Sequence, residues 1–164
     1  MKSIELEQAL LGCLITNSDY IDSVKQYIPE EDFFYSSFNK KVWNAIDKLN
    51  KNGEDVDLIT ICEEVGNNAD GYSAKYEITG FLDSVTSPSN AVVYAKKLHA
   101  YYLRRILYVQ ISDISKGIKD RSVQTDNLLE EAHTTIGNII KLQPNKTFDI
   151  DSLLDETKDS ILNS

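Results

Sequence analysis

The sequence predicts an all-α protein: a compact bundle of short helices, a long antiparallel helical hairpin, and a separate C-terminal linker helix. Three observations carry this reading. Apolar residues recur three and four positions apart along most of the chain, and few stretches alternate as a half-buried strand does. The early helices are punctuated by capping residues such as Ser3 and Asp57 and by terminators such as Pro29, Gly53 and Gly66. From Asn90 to about Lys116 nothing interrupts a helix, which at about 1.5 Å per residue runs for roughly 40 Å.

Ser3 caps a first helix whose opening turn carries Glu5 and Glu7, where the helix dipole favours negative charge, and whose apolar face is Leu6, Leu10, Leu11, Leu14 and Ile15. A second helix starts at about Asp19, with Ile21, Val24 and Ile28 on one side, and stops at Pro29. The segment from Pro29 to Tyr35 reads as a turn returning Phe33, Phe34 and Tyr35 to the core. A third helix over about 37–50 places Phe38, Val42, Ala45, Ile46 and Leu49 at core spacing, with Trp43 packed in the body and Gly53 just past the end. Asp57 caps a short fourth helix bearing Leu58, Ile61, Cys62 and Val65. A fifth, over about 77–84, offers Ile78, Phe81, Leu82 and Val85, and the run from Thr86 to Asn90 is both break and cap.

The hairpin follows, with a break expected over 117–124 and a second arm from about Thr125 to Lys141 carrying Leu128, Leu129, Ala132, Ile136, Ile139 and Ile140. The first arm has two apolar stripes, Ala95, Leu98, Tyr102, Ile106 and Val109, and beside it Leu103, Leu107, Ile111 and Ile114. One partner helix hides one face, so the second stripe needs either the helical body or another protein. Three tyrosines, Tyr101, Tyr102 and Tyr108, cluster there, and Tyr suits interfaces because it joins area to a polar tip. Leu103, Leu107, Tyr108, Ile111 and Ile114 are therefore the candidates for self-association or partner binding, with ordinary hairpin core as the alternative. The expected organisation is a globular body at 1–89, the hairpin at 90–141, a linker at 142–147 and a terminal helix at 148–164. The apolar residues of that last helix, Ile150, Leu153, Leu154 and Ile161, have nothing local to pack on and require a dock.

Composition narrows the function. The chain has 164 residues, enough to bury roughly 70% of its unfolded surface without disulfides or metal. Seventeen Lys and Arg against 26 Asp and Glu leave a net charge of −9, which argues against phosphate neutralisation as its main business. Cys13 and Cys62 are too far apart for a CxxC motif, and sparse cysteine without a signal peptide points to the cytoplasm. There is no phosphate loop, no HExxH and no Gly-x-Ser-x-Gly elbow. His99 and His133 lack partners at ligand spacing and read as surface or partner-face residues. Adjacent carboxylates such as Glu30 and Glu31 diverge around a helix and read as solvated. Arg104 and Arg105 are expected to pair with carboxylates. No catalysis is expected within this chain.

Taken in order, several motifs point to one family. Glu5-x-Glu7-Gln8-Ala9-x-Leu11-Gly12 opens the first helix, and Pro29-Glu30-x-Asp32-Phe33 with Tyr35 follows the second. Gly53-Glu54-x-Val56-Asp57-Leu58-Ile59-Thr60 begins the fourth, and Pro88-x-Asn90-Ala91-x-x-Tyr94-Ala95 begins the hairpin. Leu103-Arg104-Arg105 and Leu128-Leu129-x-x-Ala132 mark its two arms. In this register they resemble the N-terminal domain of the DnaB-type replicative DNA helicases of bacteria and their phages. Phe148-Asp149-Ile150-x-x-Leu153-Leu154 resembles the linker helix that joins that domain to a RecA-type motor.

The resemblance implies a collar in DNA replication: hairpins pair into dimers, three dimers crown a hexameric ring, and the collar recruits the C-terminal domain of primase. It implies a helicase loader as a further partner, DNA met only indirectly, no membrane and a cytoplasmic location. It implies that the linker helix docks on a neighbouring subunit's motor, and that ATP and magnesium belong to that motor, leaving this chain without a cofactor. The alternative is a free-standing homologue that regulates or inhibits a host helicase or primase by occupying these interfaces.

Overall fold

The computed structural model describes residues 3–66, 73–144 and 161–163, and among them there are helices and turns but no strand. The elements are α1 (Ile4–Thr16), a 3-10 turn (Ser18–Tyr20), α2 (Ile21–Lys25), a 3-10 turn (Glu31–Phe33), α3 (Ser37–Asn52), α4 (Leu58–Val65), α5 (Ala74–Asp83), a 3-10 turn (Pro88–Asn90), α6 (Ala91–Lys119) and α7 (Thr125–Lys141). The chain divides into two compact units, residues 1–105 and 106–164, so the division falls inside α6 and not ahead of the hairpin at residue 89.

The first unit holds the core. Its axis is α1, where Leu10, Leu11, Cys13, Leu14 and Ile15 are all buried, because α3 and α5 pack on different sides of the helix. Gly12 makes the α5 side possible. A Cβ there would lie 2.5 Å from the Phe81 carbonyl oxygen and 2.7 Å from a Val85 methyl carbon, so only glycine lets the two backbones come this close. Ile21, Val24 and Ile28 close one end, and Phe33, Phe34, Val42, Trp43 and Ile46 fill the space beside α3. Each such large side chain, fully buried, contributes about 1.5–3 kcal/mol.

Glu7 stands in the first turn of α1, as expected, and it is 1% exposed. Its Oε1 accepts the Tyr35 N–H at 2.6 Å, and its Oε2 accepts the Ser36 N–H at 3.2 Å and the Asn39 Nδ2–H at 2.8 Å. Ser36 is the N-cap of α3, so the carboxylate sits where that helix presents its unpaired amides and positive dipole end. One side chain thereby ties α1 to the aromatic turn and to α3.

The other caps are local. Ser36 Oγ accepts the Asn39 N–H, and Gly53 ends α3 in the left-handed conformation at φ +70°. Asp57 Oδ1 accepts the N–H groups of Ile59 at 2.8 Å and Thr60 at 2.9 Å, while Thr60 Oγ1 accepts the Asp57 N–H in return, a capping box. The Thr60 N–H first, with the Ile59 N–H and the Thr60 hydroxyl, outweighs the opposing cost of burial and holds the Asp57 carboxyl below the usual carboxylate range. Two helices differ from expectation in extent. The second is a single α-helical turn plus a 3-10 turn, and α5 begins at Ala74, whose buried methyl belongs to the core.

The first turns of α6 also belong to this unit. Ala91, Ala95, Leu98 and His99 are buried, which corrects the surface reading of His99. Its ring stacks on Phe33 with centroids 5.3 Å apart, and Nδ1 lies 2.7 Å from the Tyr27 carbonyl oxygen, the geometry of an Nδ1–H donor. Phe33 also meets Tyr102 at 4.1 Å. Among the described residues Arg105 pairs with no carboxylate. It donates to the carbonyls of Asp32 at 2.9 Å and Phe33 at 3.4 Å and lies over the Tyr102 ring at 5.3 Å, while the Asp32 carboxylate pairs with Lys40. Glu31, read as solvated, accepts a hydrogen bond from Asn44.

Two stability predictions follow from these contacts. Glu7→Ala leaves three buried or half-buried donors without their acceptor and is expected to lower the unfolding free energy by about 3 kcal/mol or more in urea titration; a loss under about 1 kcal/mol would remove Glu7 from its structural role. Asp57→Ala is expected to cost about 1 kcal/mol at pH 7. A carboxyl held low stabilises the fold above its unfolded pKa and loses that effect as pH falls through its folded value. The difference between wild type and Asp57→Ala should therefore shrink between pH 5 and pH 2, and a difference that grew in acid would contradict the capping box.

Candidate functional site

The second unit carries the candidate surface: the C-terminal part of α6, the connection at 120–124, and α7. The connection is stabilised by Asp120, whose Oδ1 accepts the Ser122 hydroxyl at 2.7 Å and the Ser122 N–H at 2.9 Å. Those bonds, side chain first, hold the Asp120 carboxyl below the usual range. Gly117 was expected to break the helix, but α6 runs through it to Lys119. Its small size has another use. A Cβ at Gly117 would lie 2.7 Å from a Leu128 methyl carbon, so the glycine admits the first turn of α7 against α6.

None of residues 106–144 is buried. Leu128, Ala132, Thr135 and Ile139, a series at i, i+4, i+7 and i+11, are half-buried, as α7's inward-facing stripe should be. Leu107, Ile111, Ile114 and Ile118 form the matching series on α6. Leu107 is 36% exposed, Ile111 52% and Ile118 67%, and Ile114 is half-buried. Tyr108 is 75% exposed. Leu103 is half-buried and lies in the first unit, ahead of the division. Of the first α6 stripe, Ala95 and Leu98 are buried within the first unit, and Val109, in the second, is 48% exposed.

The sequence reading missed part of the exposed apolar set. Ile118 was assigned to a break, yet it extends the α6 series by one turn, and Val123 on the connection joins it. Ile114, Ile118, Val123, Leu128, Leu129 and Ala132 line one open depression, with Asp120 and Arg121 at its rim. Periodicity alone would have placed Ile118 on the stripe, had Gly117 not been read as a terminator. Tyr101 is half-buried, and Tyr102 is the core tyrosine of the three. Of the linker-helix residues, Ile150, Leu153 and Leu154 lie outside the described residues, and Ile161 is largely exposed. Among the described residues no group of His, Cys, Asp or Glu is arranged to hold a metal, and no helix is long and apolar enough to cross a membrane.

Comparison with known proteins gives this helical body and hairpin a lineage. The family model "DnaB-like helicase N terminal domain" matches residues 1–100. The chain belongs to this family. It is 28% identical over 163 residues to the replicative DNA helicase DnaC of Bacillus subtilis, covering 98% of this chain and 36% of that protein. The fold matches the N-terminal domain of the DnaB helicase from Mycobacterium tuberculosis with a TM-score of 0.72 at 20% identity, over 84% of this chain and 97% of that one. It also matches the N-terminal domain of the Helicobacter pylori DnaB helicase, a structure described together with its interactions with primase. That match has a TM-score of 0.59 at 17% identity and covers 71% of this chain and 91% of that one. This DnaB-type domain thus spans about a third of the length of its B. subtilis relative.

The exposure of the hairpin makes a direct prediction. Because neither side chain is buried within one copy, Leu107→Asp and Ile111→Asp should keep the far-UV helical signal and change the unfolding free energy by no more than about 0.5 kcal/mol under monomeric conditions. Unfolding of either variant would assign the stripe to the hairpin's own core.

Proposed function

We propose that this chain serves DNA replication as the N-terminal collar domain of a replicative helicase, its hairpins pairing into dimers and the dimers into a hexameric collar that recruits primase through the primase C-terminal domain. The single observation that carries this is the hairpin unit, where apolar residues recur at helical spacing with no buried residue from 106 to 144. Two helices that bury so little on their own gain most of their stability by packing against another protein. Family membership, and a Helicobacter pylori relative described with primase, support reading that protein as a further helicase copy or primase. Leu107, Tyr108, Ile111 and Ile114, extended by Ile118, form the proposed contact. Tyr108 supplies broad aromatic area, and the branched aliphatic residues supply a surface for helix-to-helix packing. The segment 148–164 is proposed to dock on a neighbouring motor domain in the whole protein, where ATP and magnesium would act; a loader is a further proposed partner.

The test is a calorimetric titration of the full chain with the C-terminal domain of the primase from the same genome, at a concentration where light scattering has established the mass. Saturation at one primase domain per two chains is expected, with Leu107→Asp lowering both the mass and the heat. A dimer that binds no primase would leave the recruiting role without support, and an intact helicase ring would be the next partner to titrate.

A further inference from the structure

The connection between α3 and α4 begins with a reactive pair. Asn52-Gly53 is the one Asn-Gly dipeptide in the sequence. In such a pair the backbone nitrogen after the asparagine attacks the side-chain carbonyl carbon with little hindrance, because glycine has no Cβ. Asn52 is the last residue of α3, and both residues are exposed, so water reaches them freely. Exposure alone would make the pair labile. The fold opposes the reaction at each group it needs. The Gly53 N–H, whose nitrogen is the nucleophile, donates to the Asn50 carbonyl at 3.1 Å, and the next N–H, of Glu54, donates to the Leu49 carbonyl at 2.9 Å. Gly53 itself is held in the left-handed conformation at φ +70°. The Asn52 side-chain amide, whose carbon is the electrophile, donates to Glu54 Oε1 at 2.8 Å. These bonds make up the glycine-ended terminus of α3, and they are lost together when its last turn opens.

We propose that Asn52 is a latent modification site, converted to aspartate and isoaspartate when the end of α3 opens and protected while it is closed. The chain would then carry a covalent record of unfolding. The Gly53 nitrogen, its proton taken by solvent, forms a bond to the Asn52 side-chain carbonyl carbon. The bond from that carbon to the amide nitrogen breaks, and ammonia leaves with a proton returned by solvent. Water then opens the cyclic imide. Cleavage between the Gly53 nitrogen and the side-chain carbon gives aspartate, and cleavage between that nitrogen and the main-chain carbon gives isoaspartate. Nothing is oxidised or reduced. Either product adds a carboxylate to a connection that already holds Glu54, Asp55 and Asp57, at the negative end of the α3 dipole. It also removes the donor that Glu54 accepts. Isoaspartate lengthens the main chain by a methylene directly before the glycine whose left-handed conformation ends the helix. Conversion therefore loosens the end of α3 that had prevented it.

The test incubates the full chain at pH 8, folded in buffer and unfolded in guanidinium chloride. Position 52 is followed by peptide mass spectrometry, and isoaspartate is counted by enzymatic methylation. Conversion in the folded chain is expected to be at least about tenfold slower than in the unfolded one, the ratio that roughly 1.4 kcal/mol of opening free energy gives. Lys51→Gly keeps the reactive pair and weakens the last turn of α3, where Lys51 also pairs with Asp47. This variant should convert at the wild-type rate when unfolded. When folded, with its far-UV helical signal unchanged, it should convert about threefold faster than wild type, the ratio set by the helix propensities of glycine and lysine. Asn52→Asp, which reproduces the aspartate product, should unfold at a lower urea concentration than wild type at pH 8. Equal rates in the folded and unfolded wild type would overturn the protection, and an unreactive unfolded chain would overturn the site. A folded Lys51→Gly chain no faster than wild type would remove the end of α3 as the gate. An unchanged urea midpoint for Asn52→Asp would sink the loosening.

Discussion

The carboxylate of Glu7 is the contact on which the rest of the first unit depends. It is held by α1, the most buried helix, yet it completes the N-terminus of α3 and anchors the aromatic turn that carries Phe33 and Phe34. A buried carboxylate is tolerated because three donors converge on it and the amide dipoles of α3 point toward it. Once Tyr35 and Ser36 are fixed, Phe33 is in place to receive the His99 and Tyr102 rings, and the carbonyls of Asp32 and Phe33 are presented to Arg105. The first turns of α6 are thus seated on a segment that an acid from the far end of the sequence holds in shape. A loss at Glu7 would spread through the aromatic turn to the base of the hairpin arm.

α6 is one uninterrupted helix whose surroundings change along its length. Its first three turns bury Ala91, Ala95, Leu98 and His99, where small residues allow close approach and His99 satisfies the Tyr27 carbonyl. Beyond Arg105 the side chains are no longer buried, and the apolar residues continue on the same 3.6-residue period. A helix of this kind is anchored at one end by its own domain and leaves apolar side chains exposed at the other.

Much of the fold was legible in the residues because its signals are local. Ser3 caps α1, Gly53 adopts the left-handed conformation that ends α3, Asp57 and Thr60 form a capping box, and α7 spans Thr125–Lys141 as its apolar spacing indicates. Each of these follows from backbone groups and side chains within a few positions of one another. Ser73, by contrast, makes no capping hydrogen bond through its side chain, and α5 starts earlier than its apolar pattern suggested because Ala74 contributes to the core without a strong apolar signature. Gly117 was misread for a similar reason. Glycine at a helix end is common, but here the missing Cβ answers to Leu128 across the hairpin.

The sequence by itself determined the helical class, most helix limits, the excess of apolar surface on the hairpin and the family, because periodicity, capping chemistry and motif order are properties of neighbours along the chain. Tertiary structure decided which charged and polar groups went inside. Glu7 is buried 28 to 32 positions from its partners, His99 72 positions from Tyr27, and Arg105 73 positions from Asp32. Nothing in the local sequence distinguishes these residues from solvated ones. Their roles follow from donors and acceptors that meet only after the helices have packed, when a buried polar group must find a partner or destabilise the fold.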